Sequence, residues 1–157
     1  MHTLEPILQE VVFFQGLKPE HLTLVAGCAG NVRFKAGEFA GHAGDPADRF
    51  WVIREGRMTL EMFVPGRGAL TIATMSEGDV AGFSWLVPPH HLRFDVRALT
   101  DTRALVFDGR CLRGKFTTDP ELGFELMSRF TRLVVHRLEA TGLQLVDIYG
   151  DHPADQP

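Results

Sequence analysis

Residues Glu77–Ala98 read E-G-D-V-A-G-F-S-W-L-V-P-P-H-H-L-R-F-D-V-R-A. The stretch opens on a turn, runs into a short apolar segment, breaks at Pro88-Pro89, presents His90, His91 and Arg93, and re-enters an alternating strand at Phe94. Strand-like segments precede it, and one further strand and a long helix follow. An irregular insert between strands is where a scaffold carries binding chemistry, because its ends are held while its middle is free to vary.

Upstream of the insert the pattern has the two-residue period of strands. Ala69–Met75 alternates, and Pro65-Gly66-Arg67-Gly68 is a hairpin turn before it. Met58–Val64 sets Met58, Leu60 and Met62 against Thr59, Glu61 and Phe63, and Glu55-Gly56-Arg57 turns the chain into it. Arg49–Arg54 is the strongest strand, since Phe50, Trp51, Val52 and Ile53 combine aromatic and β-branched side chains. Before it lie a turn-rich loop from Ala43 to Asp48, a strand over Glu38–His42, a turn at Lys35–Glu38 and a short strand over Val32–Phe34. At the start of the chain the period becomes helical. Leu4, Ile7, Leu8, Val11 and Val12 predict one amphipathic helix from Leu4 to Phe14, and Pro19-Glu20 starts a second through Ala26, with His21 on its surface.

Downstream, Phe94–Leu99 and Arg103–Phe107 complete the strands, to make about eight. Asp108 caps a short helix to Phe116, and Thr118-Asp119-Pro120-Glu121 starts a long one reaching Ile148. Met127, Val134, Leu138, Thr141, Leu145 and Ile148 form a near-heptad stripe on it, while Leu126, Phe130 and Leu133 mark another side. A helix with two apolar faces needs two partners, one being the β structure and the other a second copy of itself. About eight short strands joined by glycine turns predict a closed antiparallel barrel or a two-sheet jelly roll, because closure removes exposed edges. No βαβ spacing or Gly-rich phosphate loop is present.

At 157 residues the chain is one domain in size, and its 45% apolar content is ample for a core. A formal charge of −4, with 16 Lys plus Arg against 20 Asp plus Glu, gives no basic field for nucleic acid or an anionic membrane. There is neither a signal peptide nor an apolar span, so the expected location is the cytoplasm. Cys28 and Cys111 lie far apart without metal-ligand spacing, which predicts two reduced, partly buried thiols. His42, His90, His91 and His136 form no ligand pattern, and no nucleophile–base set is visible. The sequence thus gives no catalytic residue, no metal site and no cofactor.

The succession K-A-G-E at Lys35–Glu38, F-W-V-I-R-E-G at Phe50–Gly56, E-G-D at Glu77–Asp79 and V-R-A at Val96–Ala98 resembles the cyclic nucleotide-binding domain of the catabolite-activator type, from about Leu4 to Ile148. The resemblance implies a mainly β fold: an eight-stranded antiparallel jelly-roll barrel with N-terminal helices, a phosphate-binding cassette between the sixth and seventh strands, and a long C-terminal helix that often pairs with its twin. On that resemblance residues 1–149 form one sensor domain that includes this helix, while the polar, Pro-containing stretch 150–157 reads from its own composition as a disordered tail. In members that bind cyclic AMP or GMP, a cassette Glu accepts from the ribose hydroxyl and an Arg donates to the anionic phosphate. Here Gly82 is kept, Phe83 takes the acidic place, Leu92 falls at the arginine place and Arg93 follows one residue later. A one-residue slip turns a side chain to the opposite face unless the loop shifts with it. The cassette is similar to a variant subgroup with Gly-aromatic-Ser-Trp-Leu, Pro-Pro and Phe-Asp-x-Arg-Ala.

The candidate ligand-contacting residues are therefore Gly82, Phe83, Ser84, Trp85 and Arg93, with backbone amides at Gly82–Ser84 cradling an anion and Trp85 either stacking on the ligand or filling the core. The expected function is a non-enzymatic small-ligand sensor with an altered cassette, signalling through its terminal helix. The ligand would be small and anionic or nucleotide-like, not necessarily cyclic AMP, and the partner a second copy through the C-terminal helix. No direct nucleic-acid binding is expected, because related regulators append a helix-turn-helix module that is absent here, and no membrane binding is expected. The alternative is a ligand-free structural or protein-interaction module that has lost nucleotide binding.

Overall fold

The computed structural model describes residues 4–150, so the sequence expectations for His2, for His152 and for the tail beyond Gly150 lie outside the described residues. The chain falls into two units, Met1–Gly123 and Phe124–Pro157. The first is the β domain. Its eight strands are β1 Ala29–Phe34, β2 Phe39–Gly41, β3 Arg49–Glu55, β4 Met58–Val64, β5 Gly68–Met75, β6 Val80–Ala81, β7 Asp95–Ala98 and β8 Thr102–Asp108. They form two four-stranded sheets of order β1-β8-β3-β6 and β2-β7-β4-β5. Every strand pair is antiparallel. This is the jelly-roll arrangement that the alternating segments predict, with strand ends within a few residues of expectation.

Alternation on β3 decides where the core goes. Trp51 and Ile53 turn inward and join Met58, Leu60, Met75, Ala81, Val96 and Ala104 between the sheets. Phe50 and Val52 turn the other way and are also fully buried, because the outer face of this sheet is covered. That second layer is aromatic. Phe14 meets Phe107 at 5.4 Å between ring centroids, Phe107 stacks on Phe50 at 4.5 Å, and Phe50 stacks on Trp85 at 5.1 Å. Trp85 in turn lies 6.2 Å from Phe116.

Among the described residues there are four α-helices: α1 Glu5–Glu10, α2 Pro19–Ala26, α3 Gly109–Thr118 and α4 Pro120–Gly150. The single helix expected over Leu4–Phe14 is instead α1, a break at Val11 and one 3₁₀ turn over Val12–Phe14. Val12 would share a helical face with the buried Leu8 one turn earlier, yet it is 72% exposed while Phe13 and Phe14 are buried, so the buried stripe of α1 does not continue. His21 is likewise not a surface residue: it is 2% exposed, and its Nε2 lies 3.4 Å from Asp119.

The expectation of two reduced thiols is also overturned, since Cys28 and Cys111 form a disulfide with Cα atoms 5.8 Å apart. The cause is the register of β1 on β8. Ala29 pairs with Phe107, and the Asp108 N–H donates to the Cys28 carbonyl at 2.8 Å, so the first turn of α3 starts beside Cys28. Eighty-three residues of separation hide this proximity from any local reading.

In the second unit α4 continues as a single helix, and Val134, Leu138, Leu143, Leu145, Ile148 and Tyr149 are all exposed along it. Among the described residues no helix is long and apolar enough to cross a membrane.

Candidate functional site

A cavity of about 250 Å³ opens where β2, β3 and the cassette meet. Ala40 and Gly41 of β2 form one wall, Arg49 and Trp51 of β3 another, and Leu92 of the cassette a third. The loop Asp45–Asp48 closes the remainder. Each wall has a local cause. Inward alternation on β3 turns Trp51 here, and Gly41 leaves room for Leu92, whose Cδ1 would sit 2.5 Å from any Cβ at that position.

The cassette arm is fixed by backbone pairing with the β2–β3 loop. The Gly44 N–H donates to the Leu92 carbonyl at 2.8 Å, the Leu92 N–H donates to the Asp45 carbonyl at 2.9 Å, and the Ala47 N–H donates to the His90 carbonyl at 2.7 Å. Pro46 and His91 form a β-bridge at the same place. Successive residues on such an extended arm face opposite ways. Leu92 therefore points to the cavity and is 7% exposed, whereas Arg93 is exposed and lies outside the lining.

The sequence candidates are thus not all brought together. Gly82 is buried with φ +97°, and a Cβ on it would lie 3.3 Å from the Arg49 carbonyl and 3.4 Å from the Phe50 Cα. Glycine is required both by that dihedral and by the close approach of β6 to β3. Phe83 and Ser84 are half-buried, and neither lines the cavity. Trp85 is fully buried in the aromatic layer outside the barrel, stacked on Phe50, so it fills core in place of contacting a ligand in this cavity. The tryptophan facing the cavity is Trp51. Period-two alternation within β3 carries that signal, as it carries Arg49 at the strand's start; the reading of the cassette alone missed both.

Helix α3 holds the site from behind. Arg110 Nε donates to Asp48 at 3.2 Å, the Gly109 N–H donates to the Asp48 carbonyl at 2.7 Å, and Arg113 donates to the Trp85 carbonyl. Lys115 Nζ reaches the Leu24 carbonyl of α2 at 2.6 Å. Elsewhere in the loop, Asp45 accepts the His42 N–H at 2.9 Å, and Asp95 accepts the Ala43 N–H at 2.8 Å. The acids that crowd this rim therefore already have partners.

A model of the cyclic nucleotide-binding domain matches residues 31–119, which run from β1 to the end of α3 and include the whole cavity. The chain belongs to the cyclic nucleotide-binding domain family. Among its relatives, the CRP-like cAMP-activated global transcriptional regulator of Mycobacterium tuberculosis is 25% identical over 151 residues, which cover 96% of this chain and 66% of the regulator's length. A crystal structure of a cyclic nucleotide-binding protein from Geobacter metallireducens superposes with a TM-score of 0.76 at 26% identity, covering 88% of this chain and 99% of that one. The Thermus thermophilus catabolite activator protein shares the fold, with a TM-score of 0.68 at 20% identity over 87% of this chain and 62% of its own. The mycobacterial relative is named as a cAMP-activated transcriptional regulator.

Proposed function

We propose that this cyclic nucleotide-binding domain is a non-catalytic sensor whose ligand is a small anion with an apolar body, held with Arg49 in the role the family gives to a cassette arginine. The observation that carries the reading is the composition of the cavity: Leu92 takes the inward position on the cassette arm, and Arg49 is the cationic residue of the lining. A guanidinium binds carboxylate or phosphate through two parallel N–H donors, while Trp51, Ala40 and Leu92 offer apolar surface for the remainder of the ligand. About 250 Å³ is below the roughly 300–1,000 Å³ of most ligand sites, which favours a ligand smaller than a cyclic nucleotide. Phe83 at the acidic cassette place leaves no carboxylate there for a ribose hydroxyl. Gly82, Phe83, Ser84 and Trp85 then act as the frame of the cassette, and Arg93 stays in solvent.

Occupancy would be transmitted through α3, whose Arg110 and Arg113 hold the cavity wall and the cassette, and on to α4. The output we infer is the pairing of α4 with that of a second copy. A ligand shifts such an equilibrium only by its differential affinity for two arrangements, so it must touch groups that move with α3.

Titration calorimetry and thermal-shift measurements test this reading. Cyclic AMP and cyclic GMP should give no saturable binding up to about 1 mM, a limit corresponding to about −4 kcal/mol. Small aromatic carboxylates should stabilise the protein, and Arg49→Gln should weaken that response at least about tenfold, which is about 1.4 kcal/mol. Arg93→Ala should change it less than about twofold. Tight cyclic AMP binding, or a response lost with Arg93 and kept without Arg49, would overturn it.

A specific observation favours a second reading, that of a ligand-free interaction module. The backbone groups of His90–Leu92 are spent on the β2–β3 loop, so the arm is closed without a ligand. Absence of stabilisation by every anion tried would favour that module.

A further inference from the structure

We propose that the Cys28–Cys111 bond is a reversible thiol-exchange site, open to a low-molecular-weight dithiol, and that its reduction loosens the hold of α3 on the cassette. The bond joins the residue before β1 to the first turn of α3, and both cysteines line an open cleft of about 450 Å³. Gly27 and Gly30 line the same cleft and put no side chain in the way. Cys28 is 7% exposed and Cys111 is half-buried, so Cys111 is the sulfur open to attack.

The chemistry balances with one dithiol. Its thiolate attacks the Cys111 sulfur, the disulfide bond breaks, and Cys28 leaves as a thiolate that takes a proton. The second thiol of the reductant then attacks the mixed disulfide, releasing Cys111 as a thiol and the reagent as its own disulfide. Two electrons and two protons pass from the reagent to the protein. Arg49 and Asp108 line the same cleft, and Cys111 lies in the N-terminal turn of α3.

Position makes this exchange consequential. Arg110, the neighbour of Cys111, is paired with Asp48 of the cavity wall, and Arg113, two residues on, donates to the Trp85 carbonyl of the cassette. The disulfide on α3 thus lies between the contacts of Gly109 and Arg110 with Asp48 on one side and that of Arg113 with the cassette on the other. The surrounding fold has other supports: β1 keeps six paired residues on β8, and the Asp108 N–H keeps the Cys28 carbonyl. Reduction should therefore loosen a helix without opening the barrel. This inference is independent of the ligand reading, since its readout is the motion of α3 with no ligand added.

The test takes the full chain, oxidised with the cyclic disulfide form of dithiothreitol, and titrates it with dithiothreitol at defined ratios of the two forms. Alkylation followed by mass measurement counts the thiols, and hydrogen–deuterium exchange follows the amides. The expected result is no free thiol at the start and two after reduction, with circular dichroism unchanged. Exchange in residues 109–118 and 83–92 should accelerate at least about tenfold, while residues 58–75 keep their protection. Re-oxidation should restore the slow pattern, and Cys111→Ser should show the fast pattern at every ratio. The proposal is overturned by failure of the bond to form, by resistance to reduction short of denaturant, by global unfolding on reduction, or by an exchange pattern that reduction leaves unchanged.

Discussion

Leu92 and Arg93 differ by one position and have opposite fates. One faces the cavity, the other solvent, because the arm that carries them is registered on Gly44–Ala47 by three backbone hydrogen bonds. The sequence already raised the question of which of the two points inward, but the answer needed a partner strand half the domain away. Trp85 was ambiguous for a related reason. A tryptophan in an apolar run can serve ligand or core, and here Phe50 and Phe116 pack against it and it is fully buried. Glycine at a turn is easier to read, since its cause is local. Gly56 sits at φ +94° between β3 and β4, and a Cβ there would press into the Asp101 carbonyl and lie 2.9 Å from the Thr102 Cα. Both obstacles are backbone, and that backbone is tied by the Thr102 hydroxyl donating to the Arg57 carbonyl at 3.1 Å. Gly56→Ala should therefore cost about 2–4 kcal/mol, the strain of a left-handed alanine plus the displacement of a neighbouring turn. Urea unfolding should show this as a lowered midpoint with an unchanged slope; a loss below about 0.5 kcal/mol would mean that the turn can rearrange.

Elements were more legible than contacts. Each strand is bounded by turn residues and alternates within itself, so β4 is found at its sequence-expected bounds, Met58–Val64, and β3 ends one residue beyond them. The start of α4 is equally local, for Asp119 Oδ1 accepts the Leu122 N–H at 3.1 Å and Pro120 opens the helix. The break after α1 was not legible, because it answers to the burial of both Phe13 and Phe14 and not to the helical stripe before them. The disulfide escaped for the same kind of reason: it follows from strand register, which no spacing of two cysteines encodes. Helix α3 allows its own test. The Asp108 carboxylate accepts the Cys111 N–H at 3.0 Å, satisfying one of the donors left over at a helix start. Asp108→Ala should cost about 1 kcal/mol, whereas Asp108→Asn should cost only a few tenths, because asparagine caps about as well. Thermal unfolding of the two variants side by side checks this; equal losses would point to the charge of Asp108 in place of its cap.

For the molecule as a whole, the open question is what covers the exposed apolar stripe of α4. Met127, Val134, Leu138, Leu145 and Ile148 are 42%, 44%, 70%, 50% and 59% exposed, more apolar surface than a helix gains by leaving in water. Their spacing alternates three and four once Thr131 and Thr141 are included, which is the seam of a two-stranded coiled coil. The two threonines fit that seam chemically. Thr131 donates its hydroxyl to the Met127 carbonyl at 2.7 Å and Thr141 to the Arg137 carbonyl at 2.9 Å, so both would enter an apolar interface with their hydroxyls already satisfied. We therefore expect a homodimer through α4, sedimenting at twice the 17.5 kDa of one chain. Leu138→Glu with Leu145→Glu places like charges across two successive layers of the seam and should return the protein to a monomer at about 100 µM, with its circular dichroism retained. If the unmodified chain is itself a monomer at that concentration, the stripe does not pair with its own copy and the proposed output through α4 fails with it. If the double variant stays dimeric, pairing runs through another surface, and the sensor must report its ligand without this seam.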